Sequence, residues 1–237
     1  VLRCQYKHSY VKDTTQPNKI SEDLMILEQG KNCSKFYSYY TFLHDSLVDA
    51  DTKAGVPDMV MFTNRAKYGI IRSTYTVYNN CPSGNVTVVD MIGTGYYCYK
   101  EPVIVPQWQV KSEYDNILTY CCQKATCTFK GRHYEAWFTT AIPVNGGPWE
   151  FSGLPGLILS IKDTRNQYSF QCVGITLSNS PIVFDQREMF NVSKKEYDKT
   201  IRRYFSDPIG FLESSTGATI EGGRRTSDPY NPIDLSH

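Results

Sequence analysis

No apolar run in the chain approaches the roughly 18 residues that a membrane-crossing helix needs. There is no HExxH zinc helix and no GxSxG nucleophile turn. Gly93-Thr94-Gly95 lacks the third glycine of a dinucleotide-binding loop, and no βαβ alternation surrounds it. Asp49-Ala50-Asp51 fails as the start of a calcium loop, because Lys53 and Ala54 stand where a ligand and a glycine are needed. Net charge is only +1, which gives no global electrostatic case for nucleic acid or an anionic membrane surface. Histidine is scarce: His8, His44, His133 and His237. No internal repeat is present. These absences predict no cofactor, no nucleic-acid partner and no recognisable set of catalytic residues. The chain opens on Val1, as expected of a protein whose leader has been removed.

What is abundant is tyrosine and cysteine. Of 237 residues, 18 are tyrosine and 14% are aromatic, a composition that favours strands over helices. The eight cysteines are even in number and spread along the chain. They predict mainly structural disulfides formed in an oxidising compartment, with the pairing left open. Two other roles compete: buried free thiols, and a thiol-redox or metal cluster. Cys122, Cys127 and His133 are the candidates for a soft metal such as copper or zinc, although their spacing matches no standard zinc pattern. A thiol nucleophile beside a histidine would make a third class, a hydrolase with an unrecognised site.

Read in order, the chain gives many short strands. Residues 1–12, Asp23–Gln29, the aromatic Lys35–Phe42, Gly69–Tyr78 and Val86–Tyr99 are expected as strands. His44–Gly55 suits a loop or short helix. Asn79–Gly84 is a turn, and Gly93 with Gly95 marks a bend. Asp115-Asn116 is expected to turn the chain into a long strand, Ile117–Phe129. His133–Thr140 pairs with it across a Gly131-centred turn. Lys130-Gly131-Arg132-His133 there is locally basic, either a solvated hairpin turn or a place for an anion. Tyr168–Leu177 is a further strand. The pattern becomes helical only near 194–205, where Ser193 and Glu196 form a capping box ahead of Tyr197, Ile201 and Tyr204. One β-rich domain over 1–213 and a polar tail over 214–237 are expected.

Residues 146–163, GGPWEFSGLPGLILSIKD, hold the densest backbone-shaping signals. Pro155-Gly156 suits the centre of a type II turn, with Gly156 at positive φ. Leu157, Leu159 and Ile161 then alternate as a buried strand.

Here the chain resembles the GLPGLI family of the Bacteroidota through Gly153-Leu154-Pro155-Gly156-Leu157-Ile158. The resemblance runs over about residues 20–185. Ser34–Ser38 (SKFYS) and Asp45 are similar to its early segment. Tyr99, Glu101, Pro102 and Trp108 follow its middle, and Tyr120–Ala125 places Cys122 at the family cysteine. Phe129–Arg132, Ala136-Trp137-Phe138, Ile142-Pro143 and Gly147-Pro148-Trp149 complete it. Thr119, Lys130, Tyr134, Cys121 and Cys127 depart from the pattern. The resemblance implies an exported protein of the periplasm or outer membrane, often encoded near TonB-dependent transporters, with no established catalytic residues. Its motif positions Arg132, Trp137, Pro148, Trp149, Gly153, Leu154, Pro155 and Gly156 are structural or contact residues. The layout is also similar to lipoprotein-carrier-like proteins. The expected fold is therefore mainly β, a single antiparallel curved sheet or half-barrel with one or two short C-terminal helices. Its concave face would hold a hydrophobic ligand or an envelope protein.

Overall fold

The computed structural model describes residues 1–220 and 226–236. Twelve strands form one open sheet: β1 (Leu2–Val11), β2 (Ile20–Gln29), β3 (Ser34–Ser38), β4 (Thr76–Asn79), β5 (Asn85–Ile92), β6 (Gly95–Pro102), β7 (Gln109–Ile117), β8 (Tyr120–Phe129), β9 (Arg132–Thr139), β10 (Leu157–Asp163), β11 (Tyr168–Leu177) and β12 (Phe190–Asn191). Their order across the sheet is β12-β6-β5-β4-β3-β2-β1-β11-β10-β9-β8-β7. All neighbours run antiparallel except β12, which lies parallel to β6. Short helices flank the sheet: α1 (Tyr39–Lys53), α2 (Asp58–Thr63), α3 (Lys194–Ser206) and α4 (Pro208–Thr216). Among the described residues no helix is long and apolar enough to cross a membrane.

The sheet is curved, and one ion pair proves it. Glu101 lies on β6 and Lys130 in the turn between β8 and β9. Eight strand-to-strand steps separate β6 from β9 in the order. At about 4.8 Å per step, a flat sheet would hold these ends roughly 40 Å apart. Lys130 Nζ nevertheless sits 2.5 Å from Glu101 Oε1. The strands bend round so that one face encloses a common core. Period-two alternation aims Cys4, Tyr6 and His8 of β1 at that core, and Met25 and Leu27 of β2 stand beside them in register. Phe36, Val77, Val88, Phe170, Ile161 and Ala136 extend the same buried face strand by strand.

Several expectations change. Helix α1 begins at Tyr39, inside the aromatic run read as strand. Ser38 caps it, its hydroxyl accepting from Thr41 N at 3.3 Å, and a good N-cap outweighs aromatic β preference. Of Gly69–Tyr78, only Thr76–Tyr78 pairs, with the strand running on to Asn79, because β3 ends at Ser38 and residues 69–75 have no strand to lie against. Asp115-Asn116 belongs to edge strand β7, and the turn falls at Leu118, whose φ is 55°. Helix α3 follows its capping box as read, with both reciprocal bonds made. The expected disulfides are not present: all eight cysteines are free, and five are buried as small apolar side chains. Of the polar segment expected as a tail, 214–216 complete α4 and 226–236 pack on the body, while 221–225 and His237 lie outside the described residues.

The motif at 146–158 does its work by close packing. Gly153, not Gly156, takes the left-handed backbone, with φ 96°. Gly156 is instead required by proximity: a Cβ there would lie 2.0 Å from the backbone oxygen of Thr139. Trp149, Glu150 and Phe151 are all buried in an irregular loop. Trp149 itself has φ 52°, and its carbonyl accepts from Asn79 Nδ2 at 2.7 Å.

Candidate functional site

The concave face holds a cleft of about 460 Å³, within the usual range for small-molecule sites. Its floor is apolar, with Val77, Val88 and Ile92 from β4 and β5. Helix α3 forms one wall through Tyr197 and Ile201, and residues 228–234 form another. Rings of Tyr10, Tyr75, Tyr99, Trp149, Tyr168 and Tyr230 surround the space.

Asp90 anchors α3 to the floor. Its carboxylate accepts from Tyr197 OH at 2.7 Å and from Thr74 Oγ1 at 2.6 Å. Burial pushes its proton affinity up, and these two donors and the Met91 backbone N–H hold it down. Beside it the Tyr75 hydroxyl is buried without a hydrogen-bond partner. An unpaired buried hydroxyl is costly to keep.

Residues 228–236 are strapped across the cleft. Arg132 uses all five of its N–H donors. Nε donates to Ile233 O at 3.0 Å, and Nη2 to Asn231 Oδ1 at 2.8 Å and Pro232 O at 2.6 Å. Nη1 donates to Asp163 Oδ2 at 3.1 Å and Gln167 Oε1 at 2.7 Å. The guanidinium also lies 4.9 Å from the Tyr168 ring centre. Tyr230 stacks on Phe205 at 4.6 Å, and Asn231 Nδ2 donates to Val11 O at 2.8 Å.

At the cleft edge, Lys130 Nζ is shared by Glu101 at 2.5 Å, Glu150 at 2.7 Å and Asp234 at 3.5 Å. The local basic turn is thus a hairpin turn, but Lys130 and Arg132 are buried ion-pair centres rather than solvated charges. Lys194 Nζ also reaches Asp234, at 3.6 Å, but Lys130 is the ammonium that Glu101 and Glu150 share. Glu150, the most buried, is pushed up to about 7 by desolvation, with Lys130 opposing. Behind the cleft, His8 stacks on Phe170 at 4.2 Å and Tyr10 at 4.7 Å. Its burial lowers it to about 4, and its Nδ1 sits 3.0 Å from Ser169 O.

These two groups give opposite pH dependences. Glu150 is raised from its ordinary 4.5, so its stabilising contribution is full below about pH 4.5 and is lost as pH rises through about 7. His8 is depressed from 6.5, so its contribution is full above about pH 6.5 and is lost as pH falls through about 4. Each amounts to about 3 kcal/mol, and between them the slopes largely cancel. Relative to wild type, Glu150→Gln should therefore gain about 3 kcal/mol between pH 4.5 and 7, and His8→Phe should lose about as much over pH 4 to 6.5. Urea unfolding across that range measures both, and parallel profiles for all three proteins would refute the assignment.

The positions singled out in the sequence fall in different places. Arg132, Trp149 and Gly153–Gly156 build the cleft edge and its support. Trp108 Nε1 donates to Ser152 O at 2.7 Å beneath them. Pro148 is buried, and its carbonyl accepts from Phe151 N at 3.1 Å. Trp137 lies elsewhere, opposite Lys124 in the β8–β9 register and 6.0 Å from its ammonium. Cys122 and Cys127 are buried, whereas His133 is exposed and shares a 2.7 Å bond with Thr128. Cys127 pairs with Tyr134 and so shares its face, while the neighbouring His133 points to the other. The three do not converge, and among the described residues no three His, Cys, Asp or Glu side chains are placed to hold a metal. Tyr75, Asp90, Glu150 and the 228–234 strap were missed in the sequence, and no local signal marks them.

Comparison with solved structures places this architecture among known folds. Two structures of PNGF-II, in C2 and P21 crystal forms, superpose with TM-scores of 0.55 and 0.53 at 15% and 14% identity. Each match covers 84% of this chain but only 32% and 33% of PNGF-II, so the chain spans about a third of that protein's length. At this identity the likeness is one of fold. A family model described as a protein of unknown function (Porph_ging) matches residues 128–160, the span from the end of β8 through the GLPGLI motif. A search of curated proteins finds no match.

Proposed function

We propose that this is a non-enzymatic binding protein of the cell envelope, of the GLPGLI type, whose concave cleft holds a hydrophobic ligand. The observation that carries it is the aromatic, apolar-floored cleft of about 460 Å³ with the unpartnered Tyr75 hydroxyl in its wall. The cleft's carboxylates are engaged in architecture: Asp90 by Thr74 and Tyr197, Asp234 by Lys130 and Ser236. The wall is built to hold rather than to turn over. Export, and work alongside a TonB-dependent transport system, are supported by the family resemblance.

The test is titration with the neutral fluorophore N-phenyl-1-naphthylamine, together with mass spectrometry of what co-purifies from the native envelope. Saturable binding at one site is expected, and Tyr75→Phe should separate stability from binding. Removing an unpaired buried hydroxyl should raise stability by about 1 kcal/mol while lowering retention of the native ligand. Absence of both fluorophore binding and any co-purifying molecule would end this reading.

A further inference from the structure

The charged groups around the cleft differ in how far they are already spent. Asp90 is held by two hydroxyls, Asp198 by Lys194 at 2.6 Å and Asp234 by Lys130 at 3.5 Å. Asp228 also lines the cleft and is exposed. Lys12 and Arg72, both exposed, line it as well. Lys12 Nζ stands 5.7 Å from the ring centre of Tyr10, and the Arg72 charge lies near enough to oppose the rise that burial gives the Tyr10 hydroxyl. Arg72 otherwise faces the Tyr40 ring at 5.9 Å. Among the described residues neither cation has a carboxylate within ion-pair distance. The nearby Asp23 is buried, its oxygens accepting from Leu24 N, Ser38 Oγ and Ser73 N.

We infer that the cleft takes an anionic amphiphile, with an acyl or aryl body on the Val77–Val88 floor and a carboxylate or phosphate head between Lys12 and Arg72. This rests on the reading of the cleft as a binding site. An apolar throat satisfies the body without orienting it. Two cations without a carboxylate partner supply orientation, because an anionic head gains charge-assisted bonds beside them. Arg72 offers the planar fork suited to either head, and Lys12 adds a mobile point charge.

The experiment is displacement of N-phenyl-1-naphthylamine from the full chain by dodecanoate, dodecyl phosphate, dodecyltrimethylammonium and inorganic phosphate, each below micelle-forming concentration. The two anionic amphiphiles should displace it at roughly tenfold lower concentration than the cationic one. That preference should fall toward one in the Lys12→Met/Arg72→Met variant and persist in Lys19→Met, which changes an exposed cation in the β1–β2 turn. Raised salt should shrink it. Equal displacement by anion and cation would overturn the head-group assignment while leaving the binding cleft standing. Inorganic phosphate matching dodecyl phosphate would overturn the apolar body and show a simple anion site. Failure of the fluorophore to bind, together with the absence of any co-purifying molecule, would remove the cleft reading and this inference with it.

Discussion

Replacing Arg132 with methionine should cost about 3–5 kcal/mol of stability, the range for removing one partner of a buried ion pair. The reason is what the substitution strands. Asp163 is as buried as Arg132 itself and keeps only the Gln167 and Tyr168 backbone donors on its other oxygen. The carbonyls of Pro232 and Ile233 and the amide oxygen of Asn231 lose their donors together. The segment they belong to is one wall of the cleft, so the same change should loosen it. Hydrogen exchange should quicken at Leu235 N, bonded to Lys130 O, and at Asp228 N, bonded to Phe205 O. Arg132→Lys should fall between, since an ammonium can keep Asp163 but cannot reach five acceptors in a plane. The double variant Arg132→Met/Asp163→Leu should be less destabilised than the two single losses summed, because no carboxylate is left orphaned. A loss under about 1 kcal/mol for Arg132→Met, with unchanged exchange at 228 and 235, would show that the strap is held by something else.

Arg132 also marks what a sequence discloses and what it conceals. Alternation reveals β1, β9 and β11, because each buries one face against a shared core and period two is then enforced, whereas β10 opens on a continuous apolar run buried on both faces. The capping box reveals α3, because both of its hydrogen bonds are local. Helix α1 was hidden by a conflict between a good local cap at Ser38 and the aromatic residues around it. It buries none of its own residues, so no apolar stripe announces it. Edge strand β7 was misread at Asp115-Asn116 because an exposed edge tolerates polar residues that elsewhere signal a turn. The cleft was the least legible part. Tyr197 meets Asp90 across 107 positions and Arg132 meets the strap across about a hundred. Curvature creates those meetings, and curvature follows from the sum of strand twists and packing, not from any short motif. The resemblance supplied a concave face, and the Lys130–Glu101 contact gives it substance.

Gly156→Ala should be among the most damaging single methyl additions the fold can receive, costing more than about 4 kcal/mol. The sequence argues for a glycine here on conformational grounds, since Pro155-Gly156 fits a type II turn. The structure replaces that reason with a steric one. The added Cβ would lie 2.0 Å from Thr139 O, 2.6 Å from Thr139 C and 3.0 Å from Thr140 Cα, all backbone atoms without a rotamer to yield. Relief requires moving the end of β9 away from the start of β10, where Leu157 pairs with Thr139. That shift would open the floor under Phe138, Leu157 and Ile158, all almost fully buried. Gly174→Ala is the matched control. It also lies in a strand, but its Cβ would meet only the Gln5 side chain, at 3.4 Å or more. Its effect should stay within about 1 kcal/mol, with the usual gain in strand preference over glycine. Unfolding midpoints of the wild-type, Gly156→Ala and Gly174→Ala proteins decide it, and a Gly156→Ala protein as stable as wild type would show that the two backbones are not in contact in solution.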